Sequence, residues 1–257
     1  MLENRLAAVL VTGAAGGIGR ELVRQLADAG TRVVPIDRSA RRLDALAREM
    51  VEAGAGNPRT IVADVTNEAA AAAAVAEGAQ WAGGPFGLAN IAGGIVGSPD
   101  EFYDKPLEAM AVEEWEEIFR LNTLSAMLMC KAAIPPMRDH AYGKIVSVAS
   151  MAYHGTISGM GNVAYDSAKA AVVAMTRSLA RSLGPSGIRI NGVAPGLTAT
   201  AGLQRFVKPE FIDAHARRTP VGHIGAPEDV ASAMRFLLAS ASDHVTGEII
   251  EVAGGLR

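Results

Sequence analysis

The sequence predicts an α/β fold in which helices cover both faces of a doubly wound parallel sheet of about seven strands. Short runs rich in Val and Ile alternate along the chain with longer segments of helical periodicity. Most of these runs are apolar at successive positions rather than at every second one, as expected of strands buried on both faces. No Pro-, Ser- or Gly-rich linker divides the 257 residues, so we expect a single domain spanning residues 1–257.

The predicted strands and helices follow this alternation in order. The strands are residues 6–12, 32–37, 60–65, 86–91, 144–150, 188–194 and 248–252. The helices are residues 18–29, 40–53, 68–78, 112–137, 163–183 and 227–240. Ile18, Leu22 and Leu26 share one face of the first helix, which should end at Gly30. The second strand contains Pro35, which lacks a ladder donor and normally argues against a strand.

Composition excludes several classes of protein. The formal net charge is −3 and no basic block occurs, so we expect no nucleic-acid partner. No uncharged apolar stretch reaches about 18 residues, so we expect no membrane span, and the opening apolar run is interpreted as a strand rather than a secretion signal. Cys130 is the only cysteine, which excludes an intrachain disulfide and favours a cytoplasmic location. The histidines lack metal-ligand spacing, so we expect no metal site.

A glycine-rich turn follows the first strand and leads directly into a helix. Gly13, Gly17 and Gly19 would allow a tight turn and a close approach of the backbone, including Ile18, to a pyrophosphate. The free N–H groups and the positive dipole end of the following helix favour an anion at this point. The context of strand, turn and helix therefore predicts a Rossmann-type dinucleotide site rather than a merely flexible loop.

Asp37 ends the second strand, 18 residues after Gly19. This offset is close to the roughly 20 residues expected for the acid that binds an adenosine ribose. A carboxylate there would accept hydrogen bonds from the ribose hydroxyls and repel a 2′-phosphate, so NAD is favoured over NADP. The adjacent Arg38 could instead meet a phosphate.

Tyr165 and Lys169 lie four residues apart in a predicted helix and therefore share one face. A phenol titrates near pH 10, too high for efficient proton exchange at neutrality. Lowering its pKa by about 3 units requires about 4 kcal/mol, which one ammonium about 4 Å away can supply at an effective dielectric near 20. By itself such a pair is a weak signal, because exposed pairs of this spacing are common.

Together these features resemble the short-chain dehydrogenase/reductase family, and the resemblance extends over essentially the whole chain. The further matching motifs are, in order, Asp64-Val65, Asn90-Ile91-Ala92-Gly93, Asn122, Ser150, Pro195-Gly196, Gly225-Ala226-Pro227-Glu228-Asp229, Thr246-Gly247 and Gly254-Gly255. The resemblance implies that Tyr165 is the catalytic acid/base and that Lys169 tunes it and holds the nicotinamide ribose. It implies that Ser150 hydrogen-bonds the substrate oxygen, and that Asn122 supports a helix and a proton relay.

The resemblance also implies the cofactor contacts. Asp64 and Val65 would meet the adenine. Residues 90–93, with Asn90, Ala92 and Gly93 as contacts, would meet the adenine ribose and pyrophosphate. The nicotinamide would be met by Pro195, Gly196, Thr198 and Thr200.

Two segments are expected to govern substrate choice. Residues 197–220, with Phe206, Phe211 and His215, would form a mobile lid by analogy with the family, the alternative being a simple pair of surface helices. Ser150 precedes Tyr165 by 15 residues, two more than is usual in the family, which predicts a longer loop over the substrate. In that loop Tyr153, His154 and Met160 are candidate substrate contacts, and Ser147 is the alternative to Ser150 as the hydroxyl.

We therefore expect an NAD-dependent oxidoreductase that moves hydride between nicotinamide and a secondary alcohol or ketone, without zinc. An NADPH-dependent 3-oxoacyl-thioester reductase is the alternative of the same fold. A non-catalytic dinucleotide sensor or scaffold is the alternative of another class, although Ser150, Tyr165 and Lys169 are all present. The family resemblance implies a homotetramer in which helices 112–137 and 163–183 pair across twofold axes.

Overall fold

The computed structural model describes residues 5–54, 58–97, 105–155 and 161–256, apart from the side chains of residues 204–206. One parallel seven-stranded sheet has the strand order β3-β2-β1-β4-β5-β6-β7. Its strands are β1 Ala8–Thr12, β2 Val33–Asp37, β3 Ile61–Val62, β4 Phe86–Asn90, β5 Gly143–Val148, β6 Ile188–Pro195 and β7 Ile249–Val252. The doubly wound α/β fold predicted from the sequence is confirmed.

Helices cover both faces of this sheet. They are α1 Gly17–Asp28, α2 Ala40–Glu52, α3 Glu68–Ala82, α4 Val112–Phe119, α5 Ser125–Asp139, α6 Val163–Leu183, α7 Ala201–Phe206, α8 Pro209–Arg218 and α9 Pro227–Leu238. None of the helices in the described part of the chain is both long enough and apolar enough to cross a membrane.

Alternate residues of each central strand enter two separate apolar cores. Leu10 of β1 lies in the core beneath α3, α5 and α6, whereas Val9 and Val11 lie in the core beneath α1, α2 and α9. All five residues of β1 are buried. Because both faces exclude water, the strand is apolar throughout, which explains the absence of an alternating pattern in the sequence.

Pro35 is accommodated inside β2 because of where it faces. The Ile36 carbonyl accepts a hydrogen bond from Ala14, next to β1, and the Asp37 carbonyl accepts one from Ala63, next to β3. Since successive residues of a strand face opposite neighbours, Pro35 faces the β3 side. Pairing with β3 begins only at Ile36, so the N–H group that Pro35 lacks is not needed in the ladder.

Two predicted elements differ from those observed. The strand predicted over residues 60–65 is only two residues long, so Asp64 and Val65 lie in the loop that follows it. The helix predicted over residues 112–137 is helical throughout, but a π-helical turn, Arg120–Leu124, interrupts its α-helical ladder between α4 and α5. Such turns insert an extra residue into the helical ladder and are frequent at functional sites.

Candidate active site

The candidate site lies at the carboxyl ends of the central strands. From β1 the chain adds β2 and then β3 on one side of the sheet, and it then crosses back to add β4 on the other side of β1. The direction of the connections therefore reverses between β1 and β4. In open α/β sheets, ligands bind in the crevice at such a reversal. The glycine turn after β1 and the loops after β4, β5 and β6 all lie at this edge.

Three glycines of the turn lie in close contact with neighbouring residues, two of them with backbone atoms. Gly13 has a φ of +62°, and a Cβ atom there would lie 3.0 Å from the backbone of Ala92. A Cβ atom on Gly19 would lie 2.2 Å from the Gly13 carbonyl oxygen, and one on Gly17 would lie 2.8 Å from the Thr200 methyl group. The turn thus brings the loops after β4 and β6 against the first turn of α1. No side chain caps that first turn, which leaves its N–H groups available to a ligand.

Thr12 is not among the predicted site residues, yet it joins two loops of the site. Its buried hydroxyl accepts hydrogen bonds from the N–H groups of Ile91 and Ala92, at 3.0 and 3.2 Å. The loop after β4 is thereby fixed to the end of β1. A hydroxyl residue directly before a glycine turn is the signal in the sequence that could have identified it.

Asp37 ends β2 with its carboxylate held by three donors. Oδ2 accepts from the Ala15 N–H at 3.2 Å, and Oδ1 accepts from the Ser39 N–H at 3.0 Å and from the Arg42 guanidinium at 3.2 Å. The Asp37 side chain is only 5% exposed, whereas Arg42 is half exposed. The carboxylate therefore has a fixed position beside the glycine turn.

Of the other residues predicted to contact the cofactor, Asp64 lies in an exposed loop, whereas Val65 and Ile18 pack in or against the apolar cores. Asp64 is exposed, and hydrogen bonds from the hydroxyl and N–H groups of Thr66 lower the pKa of its carboxyl. The side chain of Val65 is buried in one apolar core, and the partly buried side chain of Ile18 packs against the other.

The Asn90 side chain is buried beside β5 and α5 and does not face the crevice. Its amide donates to the Ser147 hydroxyl at 3.3 Å and to the Cys130 thiol at 3.4 Å. Its Oδ1 atom is buried without a hydrogen-bond partner among the described residues. Ser147, the predicted alternative to Ser150, is fully buried beside this amide.

Lys169 is buried with no carboxylate partner among the described residues. Its side chain is 3% exposed, and burial lowers the pKa of its ammonium to about 8. The Nζ atom donates to the Val148 carbonyl at the end of β5, at 3.1 Å, and lies 5.6 Å from the centre of the Tyr165 ring. A Cβ atom on Gly93 would lie 2.9 Å from the Asn122 Oδ1 atom and 3.2 Å from this Nζ, so Gly93 lies directly against both side chains.

Asn122 lies in the π-helical turn and fixes the loop after β4. Its amide donates to the carbonyls of Gly94 and Ile118, at 2.8 and 3.0 Å, and its Oδ1 accepts from the Gly94 N–H at 2.8 Å. The Ile118 carbonyl lies four residues earlier in the helix. The side chain thus satisfies backbone groups beside the π-helical turn and holds Gly93 and Gly94 next to Lys169.

Ser150 is the second residue beyond the end of β5. The sheet ladder ends when the Ala149 N–H donates to the Val193 carbonyl at 2.8 Å. Ser150 then begins a 3-10 turn, Met151–His154, and its hydroxyl oxygen accepts from the Ala152 N–H at 3.2 Å. Across the crevice, the Asn162 side chain caps α6 by accepting from the Tyr165 N–H at 3.0 Å. Asn162 is a further residue that the prediction did not include, although Asn is a favoured capping residue.

The segment after β6 contains the residues predicted to meet the nicotinamide. Pro195 ends β6, and the Gly196 N–H donates to the Val252 carbonyl at 3.0 Å. The Thr198 hydroxyl donates to the Gly196 carbonyl at 3.0 Å, and the Thr200 hydroxyl caps α7 at Leu203. Within residues 197–220, α7 and α8 follow, with His215 buried in α8.

The candidate substrate contacts of the loop after β5 turn towards β7. Both Tyr153 and His154 hydrogen-bond to Glu251. Met160 lies outside the described residues. The side chain of Phe206, predicted to belong to the lid, also lies outside the described part.

The comparisons with known proteins find similarity to dehydrogenases and reductases. A family model described as enoyl-(acyl carrier protein) reductase matches residues 13–257. The cyclohexanol dehydrogenase of Rhodococcus sp. strain TK6 is 36% identical over 271 residues, which cover 99% of this chain and 97% of that protein.

Two solved structures with bound cofactor superpose closely. A 3-oxoacyl-[acyl-carrier protein] reductase of Brucella melitensis with bound NAD has a TM-score of 0.87 at 31% identity, covering 97% of this chain and 90% of that one. A gluconate 5-dehydrogenase of Beutenbergia cavernae, described as NAD(P)-dependent and with NADP bound at low occupancy, has a TM-score of 0.86 at 30% identity, covering 97% and 96%.

Proposed function

The chain belongs to the short-chain dehydrogenase/reductase family, and on that premise we propose that it uses NAD and that Tyr165 is the acid/base of its reaction. Members of this family are dinucleotide-dependent oxidoreductases, and this chain is one that acts on an alcohol or ketone. The observation that carries the proposal is the buried ammonium of Lys169, 5.6 Å from the Tyr165 ring and without a carboxylate among the described residues.

The residues around the crevice fit a nicotinamide dinucleotide. The glycine turn leaves room for a pyrophosphate at the uncapped N-terminus of α1, and Asp37 offers a carboxylate to ribose hydroxyls. When bound, the cofactor supplies the hydride acceptor or donor. Gly13, Gly17, Gly19, Ala92 and Gly93 would line its pyrophosphate side. Asp64, Val65, Pro195, Gly196, Thr198 and Thr200 would flank its two ends.

Tyr165 would exchange a proton with the substrate oxygen, and Ser150 would hydrogen-bond the same oxygen. Lys169 would favour the phenolate form of Tyr165: one charge at 5.6 Å and an effective dielectric near 20 gives about 3 kcal/mol. That is of the same order as the roughly 4 kcal/mol needed for a shift of 3 pKa units, and a second positive charge would add to it. The oxidised nicotinamide ring would supply this charge. Asn122 would keep the loop after β4 in place beside Lys169.

Tyr165→Phe tests this mechanism. We expect kcat for NAD-linked alcohol oxidation to fall by about 10²- to 10⁴-fold, because the proton transfer partner is lost. The dissociation constant of NADH, measured by fluorescence titration, should stay near the wild-type value. Activity that survives the substitution unchanged would remove the mechanism. Following NADH absorbance with a panel of alcohols and ketones would identify the substrate.

The preference for NAD rests on the Asp37 carboxylate. A 2′-phosphate next to a carboxylate of fixed position would be repelled, although Arg42 and Arg38 offer compensating charge nearby. We expect Asp37→Ala to reduce the ratio of NAD to NADP affinity at least about tenfold, which corresponds to about 1.4 kcal/mol. An unchanged ratio would assign cofactor choice to other residues.

A second candidate is reduction of a 3-oxoacyl thioester with NADPH. The similarity to the Brucella reductase favours that substrate, although that structure holds NAD. Comparing rates with an acetoacetyl thioester and with cyclohexanol separates the two substrates. Binding of NAD without turnover of any substrate would favour a sensor or scaffold instead.

The same proposal includes the assembly and its setting. We infer a single domain with a substrate lid at residues 197–220, a homotetramer, and a cytoplasmic location. An open, mostly apolar depression of about 560 Å³ along one face of α4, the π-helical turn and the start of α5, lined by Trp115, Phe119 and Met127 among others, supports association through these helices. The buried, lone Cys130 supports a reducing compartment. Light scattering would determine the number of subunits.

A further inference from the structure

An acid in the last strand makes contact with the loop that follows β5. Glu251 is flanked by Ile250 and Val252 in β7. Its Oε1 atom accepts a hydrogen bond from the Tyr153 hydroxyl at 2.7 Å and lies 2.7 Å from Nε2 of His154. The Tyr153 and His154 rings lie 3.9 Å apart, so one carboxylate holds both side chains together.

The 3-10 turn Met151–His154 depends on side chains for its orientation. Its own backbone bonds run from Tyr153 to Ser150 and from Gly155 to Ala152, and the last bond to the sheet is at Ala149. The turn packs through Met151 and Tyr153 against a small apolar cluster. That cluster contains Val172 and Val173 of α6, and Ile249 and Ala253, which lie on the same face of the last strand as Glu251, pack against it. Apolar and polar contacts therefore join the turn to one face of β7.

Ser150 caps this turn at its amino end, and its hydroxyl oxygen accepts from the Ala152 N–H within it. A rotation of the turn would therefore redirect the Ser150 hydroxyl. Small displacements of a group that orients the substrate are costly, since a shift of about 1 Å can reduce a rate about 10²-fold. The contact with Glu251 restrains that rotation from a strand 98 residues away in sequence.

We propose that Glu251 is a positioning residue for Ser150, acting through Tyr153, an inference that rests on the proposed role of Ser150 in catalysis. The Tyr153 hydroxyl carries most of the effect, because it is partly buried and bonds to a charged acceptor. His154 contributes less, since its side chain is 42% exposed and such pairs are largely screened.

Hydrogen exchange tests the first step without reference to turnover. Deuterium uptake of residues 149–155 should rise in Glu251→Ala and Tyr153→Phe, and should change little in His154→Ala. Glu248→Ala is the matched control, because Glu248 is an exposed acid just before the same strand. Uptake in Glu251→Ala equal to that of the control would overturn the proposal. This readout stands even if the wild-type protein proves to have no dehydrogenase activity, a result that would instead refute the proposed function.

A double-mutant cycle tests the second step. We expect Glu251→Ala to lower kcat about tenfold in the wild-type background, and by less than about twofold when Ser150 is already Ala. The dissociation constant of NADH should stay unchanged in both. Glu251→Gln, which still accepts from Tyr153, should lose less than Glu251→Ala. Equal losses in both backgrounds, equal losses for Gln and Ala, or no loss at all would each contradict the proposal.

Discussion

Two buried lysines lie at opposite ends of strand β5 and have different surroundings. Lys144, at the amino end, is fully buried, and its Nζ atom lies 2.8 Å from Asp243, 2.9 Å from the Ser242 hydroxyl and 2.6 Å from the Ala239 carbonyl. Lys169 lies at the carboxyl end, where only the Val148 carbonyl accepts from it among the described residues. Burial lowers the pKa of both ammonium groups, but at Lys144 the hydrogen bond to Asp243 opposes that change.

This difference separates a structural charge from a functional one. A buried ammonium with a carboxylate and two further acceptors has part of its desolvation cost offset, and removing it leaves those partners unpaired. A buried ammonium without such a partner costs stability, and its field is free to act on a neighbouring group. Around Lys169 that neighbour is the Tyr165 ring. The fold therefore tolerates an unfavourable charge where the proposed chemistry uses it.

The largest expected contrast between the lysines is in activity. Lys169→Met should lower kcat/KM by about 10²- to 10³-fold, because the charge that favours the Tyr165 phenolate is lost. Lys144→Met should change it by less than about twofold per folded molecule, since Lys144 lies at the other end of β5. Steady-state rates from NADH absorbance, corrected for the folded fraction, measure both. Similar losses in the two variants would abolish the distinction.

Stability should change in opposite directions. The shift of the Lys169 pKa from 10.5 to about 8 corresponds to a cost of about 3 kcal/mol for keeping the buried group charged. Lys169→Met removes that cost but leaves the Val148 carbonyl without its donor, which costs about 1 kcal/mol, for a net gain of about 2 kcal/mol. Lys144→Met should lose about 1 to 3 kcal/mol, because it leaves buried acceptors unpaired. Urea unfolding without cofactor at pH 7 gives both values.

Raising the pH should reverse the stability order of wild type and Lys169→Met. The unfolded chain holds the lysine proton up to about pH 10.5, whereas the native protein releases it near pH 8. Between these values the unfolded state binds more protons, so the wild type gains stability as pH rises, by about 3 kcal/mol in total. The variant lacks this gain. Urea titrations of both proteins from pH 7 to 10.5 should therefore cross, and parallel curves would show that Lys169 titrates normally.

The features that depend on residues close together in sequence are the ones that could be predicted. The apolar runs predict buried parallel strands because the sheet has a core on each face, and the glycine spacing predicts the turn after β1. Ser150 is favoured over Ser147 from the sequence, and in the structure the Ser147 hydroxyl is buried and accepts a hydrogen bond from the Asn90 amide.

The features that could not be predicted depend on distant partners. The π-helical turn has the same apolar periodicity as a continuous helix, and it is coupled to the bonds of the Asn122 amide with Gly94 and Ile118. The contact of Glu251 with Tyr153 joins residues 98 positions apart. The ion pair of Lys144 with Asp243 spans 99 positions, from 144 to 243. No local pattern encodes such pairings.

The smallest expected effect concerns the carboxylate of that ion pair. Burial alone would raise the pKa of Asp243, but hydrogen bonds from Lys144 and Tyr142 and nearby positive charge outweigh it, so the pKa lies below its usual value. Asp243→Asn should therefore cost about 1 kcal/mol at pH 7, since the side chain is 32% exposed and partly screened.

A lowered pKa gives stability that is present above the unfolded value of 3.8 and is lost as pH falls through the native value. The difference in unfolding free energy between wild type and variant should accordingly be constant from pH 7 to about 5 and shrink below about 4. A difference that persists undiminished at pH 2 would mean that packing, not charge, holds Lys144 in the fold.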